Sequence, residues 1–331
     1  SVQRTVNGGN DAPVVSGPVT GSVKEDGAVS NLNALAKASD VDAGTTLAVV
    51  NVPADLPAGV SYDVGTRLFS LDASAAAYQS LAAGQTTTVT VGYGVSDGIV
   101  TTSASVQWTV TGVNDAPVVS GTVLATVAED GAPSVLDALA NASDADAGTT
   151  LTVVNVPATL PAGVVYDAGT HLFRLDPADA AYQPLAQGQS KIVTVKYGVS
   201  DGTSTTSALV QWTVTGVNDA PVVSGFATGS TKEDGAISKV NALAKASDID
   251  AGTTLTVLHV PAATQAGITY DPATHMFSLD PSAAVYQSLP AGRVTSVAVT
   301  YIVSDGIDET SATAEWTVTG VNDAPVVTGA V

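Results

Sequence analysis

The sequence predicts an all-β protein made of three tandem antiparallel β-sandwich domains arranged end to end. A phrase containing "NDAP" occurs four times at one constant spacing. Between these phrases, short stretches of alternating apolar and polar residues are separated by turn residues, the pattern of half-buried strands. One tryptophan also stands at the same position in each copy, as expected for a core organised around one large side chain.

The repeated unit is 104 residues long, which is the spacing between Asn10, Asn114, Asn218 and Asn322. A unit of this size can bury its own core, so each copy should be a domain. "SVQRTV" at the start is similar to "SVQWTV" at 105–110, the end of a copy. The predicted division is therefore a preceding repeat's tail (1–10), three repeats (11–114, 115–218 and 219–322) and the start of a following repeat (323–331).

Each element of the first copy has its own signal. Apolar alternation predicts strands near residues 13–23, 28–36, 46–52, 59–64, 67–71, 86–95 and 100–111. Segment 74–84 has a helical pattern, with Ala75, Tyr78 and Leu81 one turn apart. Seven strands in about 100 residues, with one buried tryptophan, are typical of an immunoglobulin-type sandwich.

Two hairpins are predicted in this copy. "YDVGTRLF" (62–69) contains a glycine between two short strands, and Asp97-Gly98 divides a long apolar segment into two arms. The apolar faces of the two arms should meet in the core, and they consist of Val89, Val91, Tyr93 and Val95 on the first arm and Val106, Trp108 and Val110 on the second.

Composition narrows the possible functions. The chain has no cysteine, 31 acidic and 11 basic residues, and a formal net charge of −20. Thiolate metal sites and disulfides are therefore excluded, and nucleic acid and anionic membranes are poor partners. No apolar run is long enough to span a bilayer. Hydrophobic residues make up 45% of the chain, which favours packed domains over an acidic disordered tail.

The acidic residues hold fixed positions, whereas no basic position is kept in all three copies. Eight positions in each copy and one in the last phrase hold 25 of the 31 acids. A merely solvated acidic surface should vary as the basic positions do. In the first copy the eight positions are Asp11, Glu25, Asp26, Asp40, Asp42, Asp63, Asp72 and Asp97.

Turn formation alone explains some of these acids. Asp63 and Asp97 precede glycine-containing turns, "EDG" can be a turn, and Asn-Asp before Ala-Pro can open a strand. The Asp-x-Asp pair is different, because two adjacent carboxylates on an irregular loop repel each other unless a cation lies between them. Calcium takes six to eight oxygen ligands, usually gathered from several loops. The junction at "NDAP" is where the end loops of neighbouring sandwiches should supply them.

These phrases resemble bacterial cadherin-like repeats, specifically the VCBS-type repeats in the extender regions of secreted RTX adhesins. The resemblance spans the whole chain and is carried by "GVNDAP", "EDGA", "ASDADAGT", "YDAGTHLFRLD" and "YGVSDG". It implies cadherin-like sandwiches that bind Ca²⁺ at the junctions between domains.

The resemblance also implies a ligand set. The first junction would use Glu25, Asp72, Asn114, Asp115, Asp144, Asp146 and Asp201. The second would use Glu129, Asp176, Asn218, Asp219, Asp248, Asp250 and Asp305. Equivalent residues at the two ends are Asn10, Asp11, Asp40, Asp42 and Asp97, and Glu233, Asp280, Asn322 and Asp323.

Two departures from the animal cadherin pattern reduce the number of carboxylates. The second acid of the "LDRE" motif is replaced by Ser74, Ala178 and Ser282, and Thr111 and Gly112 stand where the linker would have an upstream aspartate. One or two ions per junction, or a site confined to the end loops of one domain, are the alternatives left open.

The predicted function is a calcium-rigidified extender of a secreted or cell-surface bacterial adhesin, monomeric and not inserted in a membrane. It would project a distal ligand-binding region for adhesion or biofilm formation. An enzyme is disfavoured because no metalloprotease, nucleophile-elbow or phosphate-loop motif is found. The alternative is a repeated polysaccharide- or protein-binding module, but aromatic residues are only 5% of the chain and recur at core-like positions.

Overall fold

The computed structural model describes residues 2–262 and 267–324. Residue 1 and residues 325–331, which include most of the segment assigned to a following repeat, lie outside the described residues. Within them the chain is all-β, with three copies of a nine-strand unit and no helix. The described residues therefore contain no helix that could span a membrane.

The strands of the three units follow one another in the same order. The first unit contains β1 (Val14–Val15), β2 (Val19–Lys24), β3 (Ser30–Asn33), β4 (Ala38–Ser39), β5 (Ala48–Val50), β6 (Val60–Asp63), β7 (Leu68–Leu71), β8 (Thr86–Ser96) and β9 (Thr101–Thr111). The second contains β10 (Val118–Val119), β11 (Val123–Ala128), β12 (Ser134–Asp137), β13 (Ala142–Ser143), β14 (Thr152–Val154), β15 (Val164–Asp167), β16 (Leu172–Leu175), β17 (Ser190–Ser200) and β18 (Thr205–Thr215). The third contains β19 (Val222–Val223), β20 (Ala227–Lys232), β21 (Ser238–Asn241), β22 (Ala246–Ser247), β23 (Thr256–Leu258), β24 (Ile268–Asp271), β25 (Met276–Leu279), β26 (Val294–Ser304) and β27 (Glu309–Thr319).

Each unit is a sandwich. In the first, one sheet has the strand order β2-β9-β8-β5, the other has the order β3-β7-β6, and β1 pairs with β4. Both predicted hairpins are confirmed, because β6 pairs with β7 and β8 pairs with β9, both antiparallel. The predicted core faces are also confirmed: Val89 lies opposite Trp108 on one face of the sheet, and both are buried against Phe69 and Leu71 of the other sheet.

The predicted single strand over 13–23 is wrong in one respect. It is divided at Gly17-Pro18 into β1 and β2, because Gly17 has φ of 136° and proline cannot donate to a ladder. The pair β2–β9 is also parallel rather than antiparallel. The two strands are far apart in sequence, so no short turn constrains their direction. Parallel pairing makes both strands end at the same edge of the sheet, beside the linker.

The helix predicted over 74–84 is wrong. The segment forms successive turns, in which the Tyr78 amide donates to Ala75 O and the Leu81 amide donates to Tyr78 O, both at 3.0 Å. The apolar spacing of three residues fits such turns better than a period of 3.6. The second copy also has Pro184 inside the segment, which lacks the donor that a helix needs there. We call residues 73–85, and the equivalent residues 177–189 and 281–293, the turn segment of each repeat.

A hydrogen bond in each core provides a test of the packing. Tyr93 is 6% exposed and its hydroxyl donates to Ala34 O at 2.6 Å. Tyr93→Phe leaves that buried carbonyl without a partner, so we expect the free energy of unfolding of the first repeat to fall by about 1–2 kcal/mol. Urea denaturation measures this. Tyr62→Phe, at a half-buried tyrosine that packs on Phe69, should have a smaller effect, and equal effects would contradict the assignment.

Candidate metal centre

A glutamate is buried at the end of the parallel strand pair in every repeat. Lys24 at the end of β2 lies opposite Thr111 at the end of β9, and the next residue, Glu25, donates its amide to Thr111 O. Glu25 is 0% exposed, and its Oε1 accepts a hydrogen bond of 2.6 Å from the Val113 amide of the linker. Its Oε2 is buried and has no partner among the described residues. A carboxylate oxygen in this state needs a proton or a cation.

The Asp-x-Asp loop of the next repeat faces this glutamate. The Asp146 amide donates to Asp144 Oδ1 at 2.9 Å, an Asx-type turn that fixes the loop. Asp146 Oδ2 accepts from the amide of Asp115 in the linker at 3.1 Å. Asp146 is only 5% exposed, and within the described chain its Oδ1 and Asp144 Oδ2 are buried without a partner.

Three carboxylates from three parts of the chain therefore converge at each junction. Glu25 of the preceding repeat, Asp115 of the linker and Asp146 of the following repeat offer oxygens that all lie within 4.8 Å of one another. Glu129, Asp219 and Asp250 form the equivalent group at the second junction. We call these groups the junction clusters. They are acidic clusters between repeats that could hold a metal ion.

The asparagine of the repeated phrase joins the cluster to a neighbouring turn. Asn114 Nδ2 donates to Asp201 Oδ2 at 2.9 Å and to Asp115 O at 2.8 Å. Asp201 Oδ1 accepts two amides of its own turn, both at 2.6 Å. Asn218 Nδ2 makes the same bond to Asp305 Oδ2 at 2.9 Å. Asp201 and Asp305 are thus held beside the linkers.

The electrostatics of the junction clusters are unfavourable to bare carboxylates. Burial is the largest cause that raises the pKa of the Glu25 carboxyl, and the charges of Asp115, Asp26 and Asp146 add to it. The hydrogen bond from the Val113 amide lowers this pKa but does not offset them. Burial, and then the charge of Asp26, raises the pKa of Asp115. Within the part of the chain that the structure describes, the only ion pair joins His259 and Glu309, and neither residue belongs to a junction cluster. No basic side chain there neutralises these acids.

The second junction behaves in the same way. Burial raises the pKa of Glu129, with Asp219 and Asp130 adding to the effect against hydrogen bonds from backbone amides. Burial and the neighbouring acids, Asp130 first, raise the pKa of Asp219. Asp26 and Asp130 are exposed residues that sequence reasoning did not place in the site. Their signal was present, because the second acid of "EDG" is kept in every copy.

The ends of the described chain repeat parts of this arrangement. In the first repeat, Asn10 Nδ2 donates to Asp97 Oδ2, the Asp11 amide to Asp42 Oδ2 and the Asp42 amide to Asp40 Oδ1, at 2.8–2.9 Å. Asp248 and Asp250 make the same loop bond in the third repeat. At the other end, Glu233 is 0% exposed and accepts from the Val321 amide at 2.5 Å, while Asn322 Nδ2 donates to Asp323 O.

Three predicted ligands accept hydrogen bonds within their own loops and are absent from the junction clusters. Asp72 is exposed, and its Oδ1 accepts the amide and hydroxyl of Ser74 at 3.1 and 2.7 Å. Asp280 does the same with Ser282, and Asp176 accepts the Ala178 amide. Metal ligation by Asp72, Asp176 and Asp280 stays a prediction.

The linker lacks an upstream acid for a steric reason. A Cβ at Gly112 would lie 2.7 Å from the carbonyl carbon of Leu81, and closer still to the carbonyl oxygens of Leu81 and Ala82. A Cβ at Gly216 or Gly320 would be equally close to the equivalent carbonyl groups of its own repeat. No side chain fits at these positions, so the backbone packing of the linker excludes an aspartate there.

The raised pKa values of Glu25, Asp115, Glu129 and Asp219 predict an unusual pH profile. The folded chain binds protons on these carboxylates more tightly than the unfolded chain does. The free energy of unfolding without a cation should therefore fall as pH rises from the ordinary carboxyl pKa through the raised values. In EDTA we expect Tm to decrease as pH rises above the ordinary carboxyl pKa of about 4, and also to decrease below about pH 4, where aspartates with lowered pKa such as Asp201 lose their hydrogen bonds.

In excess calcium Tm should instead rise as pH rises, because protons compete with the cation for the same oxygens. Scanning calorimetry at matched ionic strength measures both profiles. The same pH slope in EDTA and in calcium would contradict this account of the junction clusters.

A family model described as "Cadherin-like domain" matches residues 113–215 and 217–319, together more than half of the chain. Mouse cadherin-23 EC22-24 is similar in structure, with 16% sequence identity and a TM-score of 0.53 over 95% of this chain and 99% of that one. The structure of protocadherin gamma B2 extracellular cadherin domains 1-5 is also similar, with 16% sequence identity and a TM-score of 0.57 over 95% of this chain and 61% of that one.

Protocadherin gamma C5 EC1-3 is also similar, with 15% identity and a TM-score of 0.51 over 91% of this chain and 99% of that one. At these identities the likeness concerns the fold alone. No sequence among the curated proteins matches the chain. The family match covers most of the second and third repeats, and the solved structures share the tandem sandwich architecture. The chain belongs to the cadherin-like domain family.

Proposed function

We propose that the chain is a calcium-rigidified spacer, an extender segment of a bacterial cell-surface adhesin that projects a distal ligand-binding region away from the cell. The observation that carries this proposal is the set of buried, unpartnered carboxylate oxygens at each boundary, on Glu25, Asp115 and Asp146 at the first. Buried carboxylate oxygens that have neither a hydrogen-bond donor nor a basic partner are stabilised by a bound cation.

The donor chemistry favours Ca²⁺. The junction clusters offer only carboxylate oxygens, and Ca²⁺ accepts six to eight oxygen ligands in irregular geometry. Mg²⁺ requires near-ideal octahedral geometry and keeps its waters. Glu25, Asp115 and Asp146 would hold the shared ion, with Asp144 and Asp201 next to them. Calcium there would supply the positive charge that these acids lack.

Stiffening follows from where the ligands lie in the chain. One comes from the preceding repeat, one from the linker and one from the following repeat, so an ion bound to all three fixes the angle between the repeats. Without a cation the same acids repel one another and the junction opens. Extracellular calcium modules bind in the range of about 10⁻⁴ to 10⁻³ M. The array would therefore be loose in a calcium-poor cytoplasm and stiff outside the cell.

The assignment to a secreted bacterial adhesin is the finer part of the proposal. It is supported by the resemblance of the repeated phrases to VCBS-type repeats, by the membership of the cadherin-like family, and by the equal length of the three copies. Copies without insertions offer no special binding loop, which fits a spacer better than a module that makes the adhesive contact itself.

A calcium titration by isothermal calorimetry tests the site. We expect the wild-type chain to bind calcium in the range above, and Asp146→Asn together with Asp250→Asn to abolish binding at both junction clusters. Asp167→Asn with Asp271→Asn is the matched control, because the hydrogen bonds of these aspartates lie within their own hairpin turns and neither belongs to a junction cluster. Wild-type binding by the first double variant would refute the proposal.

A further inference from the structure

Neighbouring repeats touch through a backbone hydrogen bond that involves no carboxylate. The Ala147 amide in the Asp-x-Asp loop of the second repeat donates to Ser80 O in the turn segment of the first, at 3.0 Å. The Ala251 amide donates to Pro184 O across the second junction, also at 3.0 Å. The acceptor residue changes from serine to proline between the two junctions, so the contact depends on the backbone and not on that side chain.

The acceptor side of this contact is held firmly in place. The Gly84 amide donates to Gly112 O at 3.0 Å and the Gly112 amide donates to Gln85 O at 2.8 Å, which ties the turn segment to the start of the linker. Tyr78, in the middle of the segment, is 6% exposed and its hydroxyl donates to Ala58 O at 2.6 Å. The segment is therefore a built surface at the end of the sandwich.

The turn segment also contacts the loop that carries the junction glutamate. Gln287 Nε2 donates to Glu233 O at 3.2 Å and to Pro281 O at 3.1 Å. Gln183 Nε2 makes the equivalent bonds to Glu129 O and Pro177 O at 3.5 Å. Glutamate and turn segment thus form one unit, and whatever docks on the segment is placed against the glutamate.

An internal comparison shows how docking changes the donor loop. Asp42 of the first repeat lies in the same Asp-x-Asp loop as Asp146 and Asp250, but in the 331-residue chain no turn segment precedes it, and it is only half-buried. Asp146 and Asp250 follow a complete repeat and are each 5% exposed. The loops make the same internal bond, so the difference in exposure arises from contact with the preceding repeat.

We propose that the turn segment of each repeat is a docking surface for the Asp-x-Asp loop of the next repeat, and that this contact holds a population of docked junctions without any metal ion. The cation then enters a site whose parts already lie together, and it removes the remaining open population. This inference goes beyond the proposed function, since it concerns the junction in the absence of calcium and does not require that calcium bind.

Distance measurement by pulsed electron paramagnetic resonance in EDTA tests this inference. The chain has no native cysteine, so spin labels can be placed on Val64→Cys and Ile192→Cys, at exposed positions of the first and second repeats. We expect a narrow distance component in EDTA at the position seen in excess calcium. Ala147→Pro removes the donating amide and should abolish that component in EDTA.

Ala43→Pro is the matched control, because it places proline in the same loop of the first repeat, where no complete repeat precedes it. This variant should keep the narrow component. Circular dichroism verifies that both variants fold, and Ala251→Pro with labels on Ile192→Cys and Ile307→Cys repeats the test at the second junction. Retention of the narrow component by both junction variants, or its absence from the wild-type chain in EDTA, would overturn the inference.

Discussion

Replacement of Glu129 by glutamine is expected to change stability in opposite directions with and without calcium. In EDTA the variant should be at least as stable as the wild-type chain. The amide oxygen can still accept the Val217 amide, and the new NH₂ group faces the carboxylates of Asp219 and Asp250. In calcium it should be less stable, because a charged ligand is lost and the affinity of that junction should fall by about 10- to 100-fold.

Thermal unfolding with and without calcium measures both changes. At calcium about 100 times the Kd, one occupied site contributes about 2.7 kcal/mol to stability, and most of this should be lost at the second junction. Glu309→Gln is the control, because Glu309 lies on β27 and pairs only weakly with His259 at 3.8 Å. A variant that loses the same stability in EDTA and in calcium would show that Glu129 has a purely structural role.

The second large effect is expected from Gly112→Ala. The new methyl group would clash with the carbonyl groups of Leu81 and Ala82. These are backbone atoms, so no side-chain rotation can relieve the clash. The linker would have to move off the turn segment, and we expect the free energy of unfolding of the first repeat to fall by about 2–4 kcal/mol. Urea denaturation in EDTA measures this loss without any contribution from calcium.

Gly92→Ala provides the matched control. Gly92 lies on β8, and a Cβ there would meet no atom within 4 Å, so the change should be nearly neutral or slightly stabilising. Equal losses in the two variants would mean that the close approach at Gly112 does not hold the linker.

Under the proposed function, the buried acids would make the stiffness of the array depend on a bound cation. A hydrophobic contact at the same place would hold the repeats together under all conditions. Glu25 instead buries a carboxylate oxygen without a partner, and a buried charge in this state lowers stability until it is neutralised. Under the proposed function, calcium should have its largest effect where the carboxylates are most buried. The proposed docking contact between Ala147 and Ser80 would limit how far the junction opens.

Much of the fold was predictable from the sequence because it rests on local signals. Alternation placed the strands around Trp108, and Asp-Gly placed the long hairpin. The parallel pairing of β2 with β9 was not predictable, because it joins residues almost 90 positions apart and no turn records its direction. The turn segment was misread as a helix because an apolar spacing of three residues is compatible with both structures in a short stretch.

The candidate site was predictable in its residue types and less so in its membership. Repetition inside one chain singled out Glu25, Asp115 and Asp146, and the structure brings them together. It could not show that Asp72 would turn back to its own Ser74, because that depends on the loop geometry. Nor could it show that Gly112 is required by the carbonyl groups of the turn segment, a contact between residues about 30 positions apart.

Small-angle X-ray scattering of the 331-residue chain in excess calcium and in EDTA tests the calcium-stiffened array most directly. Three sandwiches end to end should span roughly 120–140 Å, from about ten residues per strand at roughly 3.3 Å plus the loops. The account predicts a rod of this length in calcium and a shorter, more flexible average in EDTA. Identical scattering profiles in the two conditions would contradict it.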